Sequence, residues 1–155
     1  MNRARPEFKN RSVVNELCEE LAQEFLLVQG AGGNISVKED QTLWIKASGT
    51  WLAEAGRNDI FIPIGLSQVD HLVASGDFST IPTAINESKL RPSIETWLHA
   101  LMPQKFVVHL HALDILALLI RKGSQSFLSD LDFGNIKFGF TNYAKPGPED
   151  RKSVV

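Results

Sequence analysis

The order of helix-period and strand-period segments along the chain predicts a mixed α/β domain. Apolar residues recur every three or four positions in 12–28 and 93–101, the spacing of an amphipathic helix, and 113–121 is an apolar helical run. Between these lie β-type runs at 35–38, 42–46, 59–64 and 105–112, with a further alternating run at 136–140. The 155 residues are 43% apolar and 22% charged, enough to bury a sizeable core, and are read as one domain spanning 1–155.

Composition narrows the function. A formal charge of −2 leaves no basic surplus to neutralise a phosphate backbone, so a general nucleic-acid binder is not expected. Cys18 is the single cysteine, which excludes an intrachain disulfide and a cysteine-rich metal site and suits a reducing compartment. Met1 to Lys9 lacks the apolar core of a signal peptide, and no run approaches the roughly 20 apolar residues of a membrane span. A cytoplasmic protein without a membrane partner is the expectation.

Taken in order, the first element is a helix from Ser12 to Val28, with Val14, Leu17, Leu21 and Phe25 on one face, Ser12 as N-cap and Gly30 as the stop. Gly30-Ala31-Gly32-Gly33-Asn34 then leads into a hairpin, Ile35 to Lys38 and Thr42 to Lys46, turned by Glu39-Asp40-Gln41. The glycines do not match a dinucleotide fingerprint, because the third would fall at Ile35 and a strand follows. They are either a helix stop with a hairpin lead-in or a nest of amides able to hold an anion. Ala47-Ser48-Gly49-Thr50 is a second such turn, for which an ordinary strand end is the commoner explanation.

Asp59 to Ile64 reads as a strand with Ile60, Ile62 and Ile64 on one face, and Pro63 marks an edge or an early end. Residues 65–90 show little periodicity and read as a long connection with one short strand near Ile81. Pro92 and Ser93 open a helix carrying Ile94, Trp97, Leu98 and Leu101 and ending before Pro103, with Ser93 as N-cap. Glu95 lies in its first turn, and His99, at i+4, can share its face. Leu113 to Arg121 reads as an apolar helix ended by Gly123. Asp132-Phe133-Gly134 is a turn, and Ile136 to Phe140 a half-buried strand.

The chemistry concentrates in Lys105 to Ala112. In an extended strand, alternation turns Val107, His109 and His111 to one side, which sets two imidazoles about 6–7 Å apart. Such a pair can hold Zn²⁺ through ring nitrogens, although two half-buried histidines with polar partners are the commoner explanation of His-x-His alone.

The order of these features shifts the balance toward the metal pair. Gly33-Asn34-Ile35-Ser36, Ser48-Gly49, Ser93-Ile94-Glu95 with His99, His109-Leu110-His111, then Tyr143 with Pro146-Gly147 resembles the class II aldolase/adducin family from about Leu27 to Gly147. Leu43 to Gly49 is similar to aldolase domains associated with rhamnulose phosphate. The resemblance implies a three-layer α/β/α fold with a mostly antiparallel central sheet. It also implies a metal-dependent lyase that cleaves a phosphorylated ketose, a small-molecule sugar phosphate, through an enediolate, using Zn²⁺ or another divalent metal.

By the same resemblance His109 and His111 are metal ligands and Glu95 is the catalytic acid/base. Gly33, Asn34, Ser48, Gly49 and Ser93 hold the substrate phosphate. The family implies a homo-oligomer, a ring of four. It includes dehydratases, epimerases, decarboxylases and the non-catalytic interaction domain of adducin, which stand as alternatives. One departure is plain: the family completes its metal site with a third, later histidine, and none follows His111. The expectation is therefore a domain truncated at its C-terminal end; neither His71 nor His99 is an obvious replacement.

Overall fold

The computed structural model describes residues 6–132 and 134–141. Helix α1 (Arg11–Gln23) precedes the hairpin of β1 (Asn34–Glu39) and β2 (Thr42–Lys46). Then follow β3 (Phe61–Gly65), α2 (Leu66–Ala74), α3 (Thr96–Leu101), β4 (Phe106–His109), α4 (Leu113–Leu119) and α5 (Ser124–Ser129). The four strands form one antiparallel sheet in the order β3-β2-β1-β4.

Alternation along the strands sorts the core into two clusters. Ile35, Val37 and Trp44 pack with Val14 and Cys18 of α1. Leu43, Ile45, Ile62 and Ile64 pack with Val69 of α2 and Trp97 of α3. The hairpin turn is tight because Asp40 adopts φ 51°, a left-handed conformation that aspartate tolerates better than most residues. Pro63 pairs with Trp44 on the edge strand β3, as its missing N–H requires.

Several boundaries differ from the sequence reading, each for a physical reason. Helix α1 starts one residue early because the buried Glu39 carboxylate accepts the N–H groups of Lys9 and Asn10, both at 2.8 Å. It ends at Gln23 rather than Val28, leaving Phe25 exposed. The backbone of Leu26 and Leu27 instead accepts the N–H groups of Leu113 and His111, at 2.8 and 3.0 Å. Pairing with the chain after β4 thus replaces a further helical turn.

Ile60 precedes β3 and joins the α1-side cluster, apart from Ile62 and Ile64. Within 65–90 the structure has helix α2, with Val69 buried, and in place of a strand near Ile81 a single bridge between Ile64 and Ala84. The regular helix α3 begins at Thr96 with Glu95 as N-cap; Ser93 accepts the Glu95 N–H on its hydroxyl at 3.2 Å. Helix α4 stops at Leu119, and Gly123, at φ 77°, becomes the N-cap of α5. Asp132 does turn the chain, accepting the Gly134 N–H at 2.7 Å. The alternating run at 136–140 forms no regular strand, because its apolar face is not buried: Ile136 and Phe138 stay exposed.

Trp97 is fully buried, and its indole N–H donates to the Thr80 carbonyl at 3.0 Å. Replacing it with alanine removes both the packing and the anchor of the 77–90 segment. Trp97→Ala is expected to lower stability by about 3–5 kcal/mol, read from the midpoint of urea unfolding at unchanged slope.

Candidate metal centre

The site grows from one face of β1. Asn34, Ser36 and Lys38 share that face by alternation, and each reaches α3 or its start. Asn34 Nδ2 donates to Glu95 Oε2 at 2.9 Å, and Ser36 Oγ shares a hydrogen bond with His99 Nδ1 at 2.8 Å. The Lys38 ammonium donates to the carbonyls of His99, Met102 and Gln104 at 2.7, 2.5 and 3.0 Å. Cationic donors suit the carbonyl end of a helix, so Lys38 fixes α3 against the sheet.

Strand β4 pairs with β1 so that His109 stands opposite Asn34. Glu95 Oε1 then lies 2.9 Å from His109 Nδ1. One ligand atom each from Glu95, His99 and His109 fall within 4.8 Å of one another. His99 is fully buried, and its Nε2 has no hydrogen-bond partner among the described residues. A carboxylate and two imidazoles at this separation suit a borderline divalent cation, and the Asn34 and Ser36 contacts are of the outer kind that orients ligands.

His111 takes a different position from the one that strict alternation gives. Regular pairing in β4 ends at His109, and the His111 N–H turns to the Leu27 carbonyl. Its ring stands beside that of His109, centroids 5.0 Å apart and planes inclined 59°, but outside the three-residue cluster. The glycine-rich turn closes over both histidines. A Cβ on Gly32 would meet His111 Nδ1 at 3.0 Å, and one on Gly33, which has φ +73°, would meet the His109 carbonyl at 3.2 Å. Glycine is thus required there by close approach as well as by backbone conformation.

Charge in the site is set by burial and partners. Burial alone would raise the Glu95 carboxyl, but His109, with the Asn34 amide and His99, outweighs it and holds the group down at about 2. Burial lowers the His99 imidazole to about 4, against the opposing pull of Glu95. At neutral pH Glu95 is therefore a carboxylate and His99 a neutral ligand-type imidazole.

The other sequence candidates lie around this centre in different ways. Gly33 and Asn34 are in the glycine-rich turn and at the start of β1. Ser48 donates its N–H to the Arg91 carbonyl at 2.9 Å, which brings the Ser48-Gly49 turn against the segment leading to Ser93. Tyr143, Pro146 and Gly147 fall outside the described residues. A cleft of about 890 Å³ opens at the far edge of the sheet, lined by Phe61, Gly65, Asp59 and Glu87 among others. No histidine lines it.

The profile of the class II aldolase and adducin N-terminal domain matches residues 13–155. The chain belongs to this family. A relative named uncharacterized oxidoreductase YuxG, from Bacillus subtilis (strain 168), is 29% identical over 132 residues, covering 75% of this chain. The match spans 19% of that relative's length. Among solved structures, the N-terminal class II aldolase domain of a conserved protein from Thermoplasma acidophilum superposes with TM-score 0.63 at 24% identity, covering 83% of this chain and 67% of that one. YgbL from Klebsiella pneumoniae gives TM-score 0.48 at 21% identity, over 73% and 51%. The four-stranded antiparallel sheet with its helices is thus an aldolase-family fold. Among the described residues no helix is long and apolar enough to cross a membrane.

The sequence sets His99 on the face of Glu95 but assigns no role to Ser36 or Lys38 and does not bring His99 to His109. The signal was present in the alternation of Asn34, Ser36 and Lys38 and in the i+4 spacing of Glu95 and His99.

The buried His99 gives a pH test on metal-free protein. Its folded pKa lies below that of the unfolded chain, so the unfolded state binds more protons between about pH 6.5 and 4. Stability is fully present above about pH 6.5 and falls as pH drops through that window. Glu95, also depressed, adds a second loss from about pH 4.5 toward 2. Unfolding midpoints measured from neutral to acid pH are expected to decline from the upper limit onward, and His99→Gln to flatten the first part of the decline.

Proposed function

We propose that this domain is a metal-dependent aldolase-type lyase that cleaves a phosphorylated ketose. The reading rests on one observation above the others: Glu95, held ionised, is hydrogen-bonded to Asn34 on one oxygen and touches His109 on the other. That is the arrangement of a proton carrier beside a cation site. Family membership supports the reaction class, and the donor cluster of Glu95, His99 and His109 supports the metal.

His109 would hold a divalent cation, Zn²⁺ or another, with His111 as the second family-type ligand and His99 available from α3. When bound, the cation supplies Lewis-acid polarisation of the ketose oxygen and offsets the negative charge that develops there. The chain's own residues do the rest. Glu95 takes the proton of the hydroxyl on the carbon beyond the breaking bond and returns a proton to the carbon left behind. Asn34 keeps one carboxylate oxygen occupied so that the other is directed to the site. Gly33, Asn34, Ser48, Gly49 and Ser93 surround the substrate phosphate, held by backbone amides and hydroxyls.

The finer architecture and setting belong to the same proposal: a three-layer α/β/α domain, consistent with core clusters that involve α1 on one side and α2 and α3 on the other, in a cytoplasmic homo-oligomer. The activity is tested by loading the chain with Zn²⁺ and following triose-phosphate release from a panel of ketose 1-phosphates. Turnover on at least one is expected from this chain or from a longer one that supplies the family's third histidine, with Glu95→Gln lowering kcat by about 10²- to 10⁴-fold at little change in KM. No turnover on any member by either chain, or an unchanged rate in Glu95→Gln, overturns the reading.

A further inference from the structure

Lys46 closes β2 on the α1 side of the sheet and is 2% exposed. A lysine is rarely buried so fully without a carboxylate. Among the described residues no carboxylate lies within 4.0 Å of its ammonium; its partners are two neutral carbonyls. One is Ala31 of the glycine-rich turn, at 3.2 Å, and the other is Thr50 of the Ser48-Gly49-Thr50 turn, at 2.7 Å. The neighbouring Cys18 thiol offers no compensating charge, since burial pushes it up to about 12. Glu95 and Glu54 act on Lys46 only through space.

Two facts follow from this placement. The ammonium ties together two turns through the carbonyls of Ala31 and Thr50, and each turn has a glycine in the left-handed region, Gly33 at φ 73° and Gly49 at φ 77°. It also leaves a buried ammonium with no carboxylate in contact where those turns meet, offset only through space by Glu95 and Glu54. Both Gly33 and Gly49 belong to the phosphate cradle of the proposed function, on which this inference rests.

We propose that Lys46 is a positioning residue for an anion: it sets the separation of the two turns and supplies the charge that favours a phosphate monoester between them. The charge acts through the two turns, so the effect is selective. Removing it weakens anion binding without disturbing the imidazoles, which are held by β1, α3 and β4 on the other attachments described above. A cation in a dry setting is worth more to an anion than neutral amides alone, because charge-assisted contacts are the stronger kind.

The test uses the 155-residue chain with inorganic phosphate and Zn²⁺ as separate calorimetric probes. Lys46→Met is expected to weaken phosphate binding by about 10-fold or more while Zn²⁺ affinity stays within about twofold of wild type. Lys46→Arg is expected to recover part of the loss. Wild-type phosphate affinity in Lys46→Met overturns the proposal, and so does an equal loss of phosphate and Zn²⁺, the mark of a merely structural role. Should Lys46→Met not fold, the ¹⁵Nζ resonance of Lys46 in wild-type protein decides: a shift on phosphate addition supports the proposal, and an unmoved resonance or no phosphate binding overturns it. Lys46-dependent phosphate binding without turnover on any ketose phosphate sinks the lyase reading alone.

Discussion

The site depends on a polar seam between β1 and α3. Three alternating residues, Asn34, Ser36 and Lys38, leave the sheet on one face, and each finds its partner on the same short helix or at its N-cap. A six-residue helix has little stability of its own, so these contacts, with the buried Trp97, decide where it sits. Each neutral bond contributes on the order of 1 kcal/mol, but leaving its buried partner unpaired costs more. The seam is therefore a specifier of position: it places Glu95 and His99 where β4 delivers His109.

A second constraint comes from the opposite direction. The chain abandons α1 at Gln23 so that the backbone of Leu26 and Leu27 can pair with His111 and Leu113, and the glycine-rich turn then lies directly over the histidines. A Cβ at Gly32 would clash with the Gln29 carbonyl at 2.9 Å and crowd His111 Nδ1 at 3.0 Å. Helix termination, the glycines and the position of His111 are thus parts of one arrangement. Lys46 bonds the Ala31 carbonyl of that glycine-rich turn and, through Thr50, ties it to the Ser48-Gly49-Thr50 turn.

Much of this was legible in the sequence. The hairpin, the edge strand at Pro63, the helix with Glu95 at its start and the strand leading to His109 follow from period, turn chemistry and proline rules, whereas the departure of His111 from that strand does not. What was not legible depended on partners distant in sequence. Glu39 moves the start of α1 from 29 residues away, through its bond to Asn10. Helix α2 was hidden in a weakly periodic stretch, since a helix that packs through Val69 and a few flanking residues needs no strong pattern. The run at 136–140 has the alternation of a strand, but it adopts no regular strand, and Ile136 and Phe138 stay exposed. His99 could be placed on the face of Glu95, yet only the fold brings Ser36 to one side of its ring and His109 near the other.

The central claim is that the Glu95–His109 contact marks a cation site. The most direct measurement is anomalous diffraction at the zinc edge from crystals of the chain equilibrated with Zn²⁺. A peak is expected about 2.0–2.1 Å from a ring nitrogen of His109, with the Glu95 carboxylate adjoining and a second histidine in the coordination sphere. A zinc-free His109 in fully equilibrated crystals, or a peak bound only elsewhere on the molecule, would contradict it.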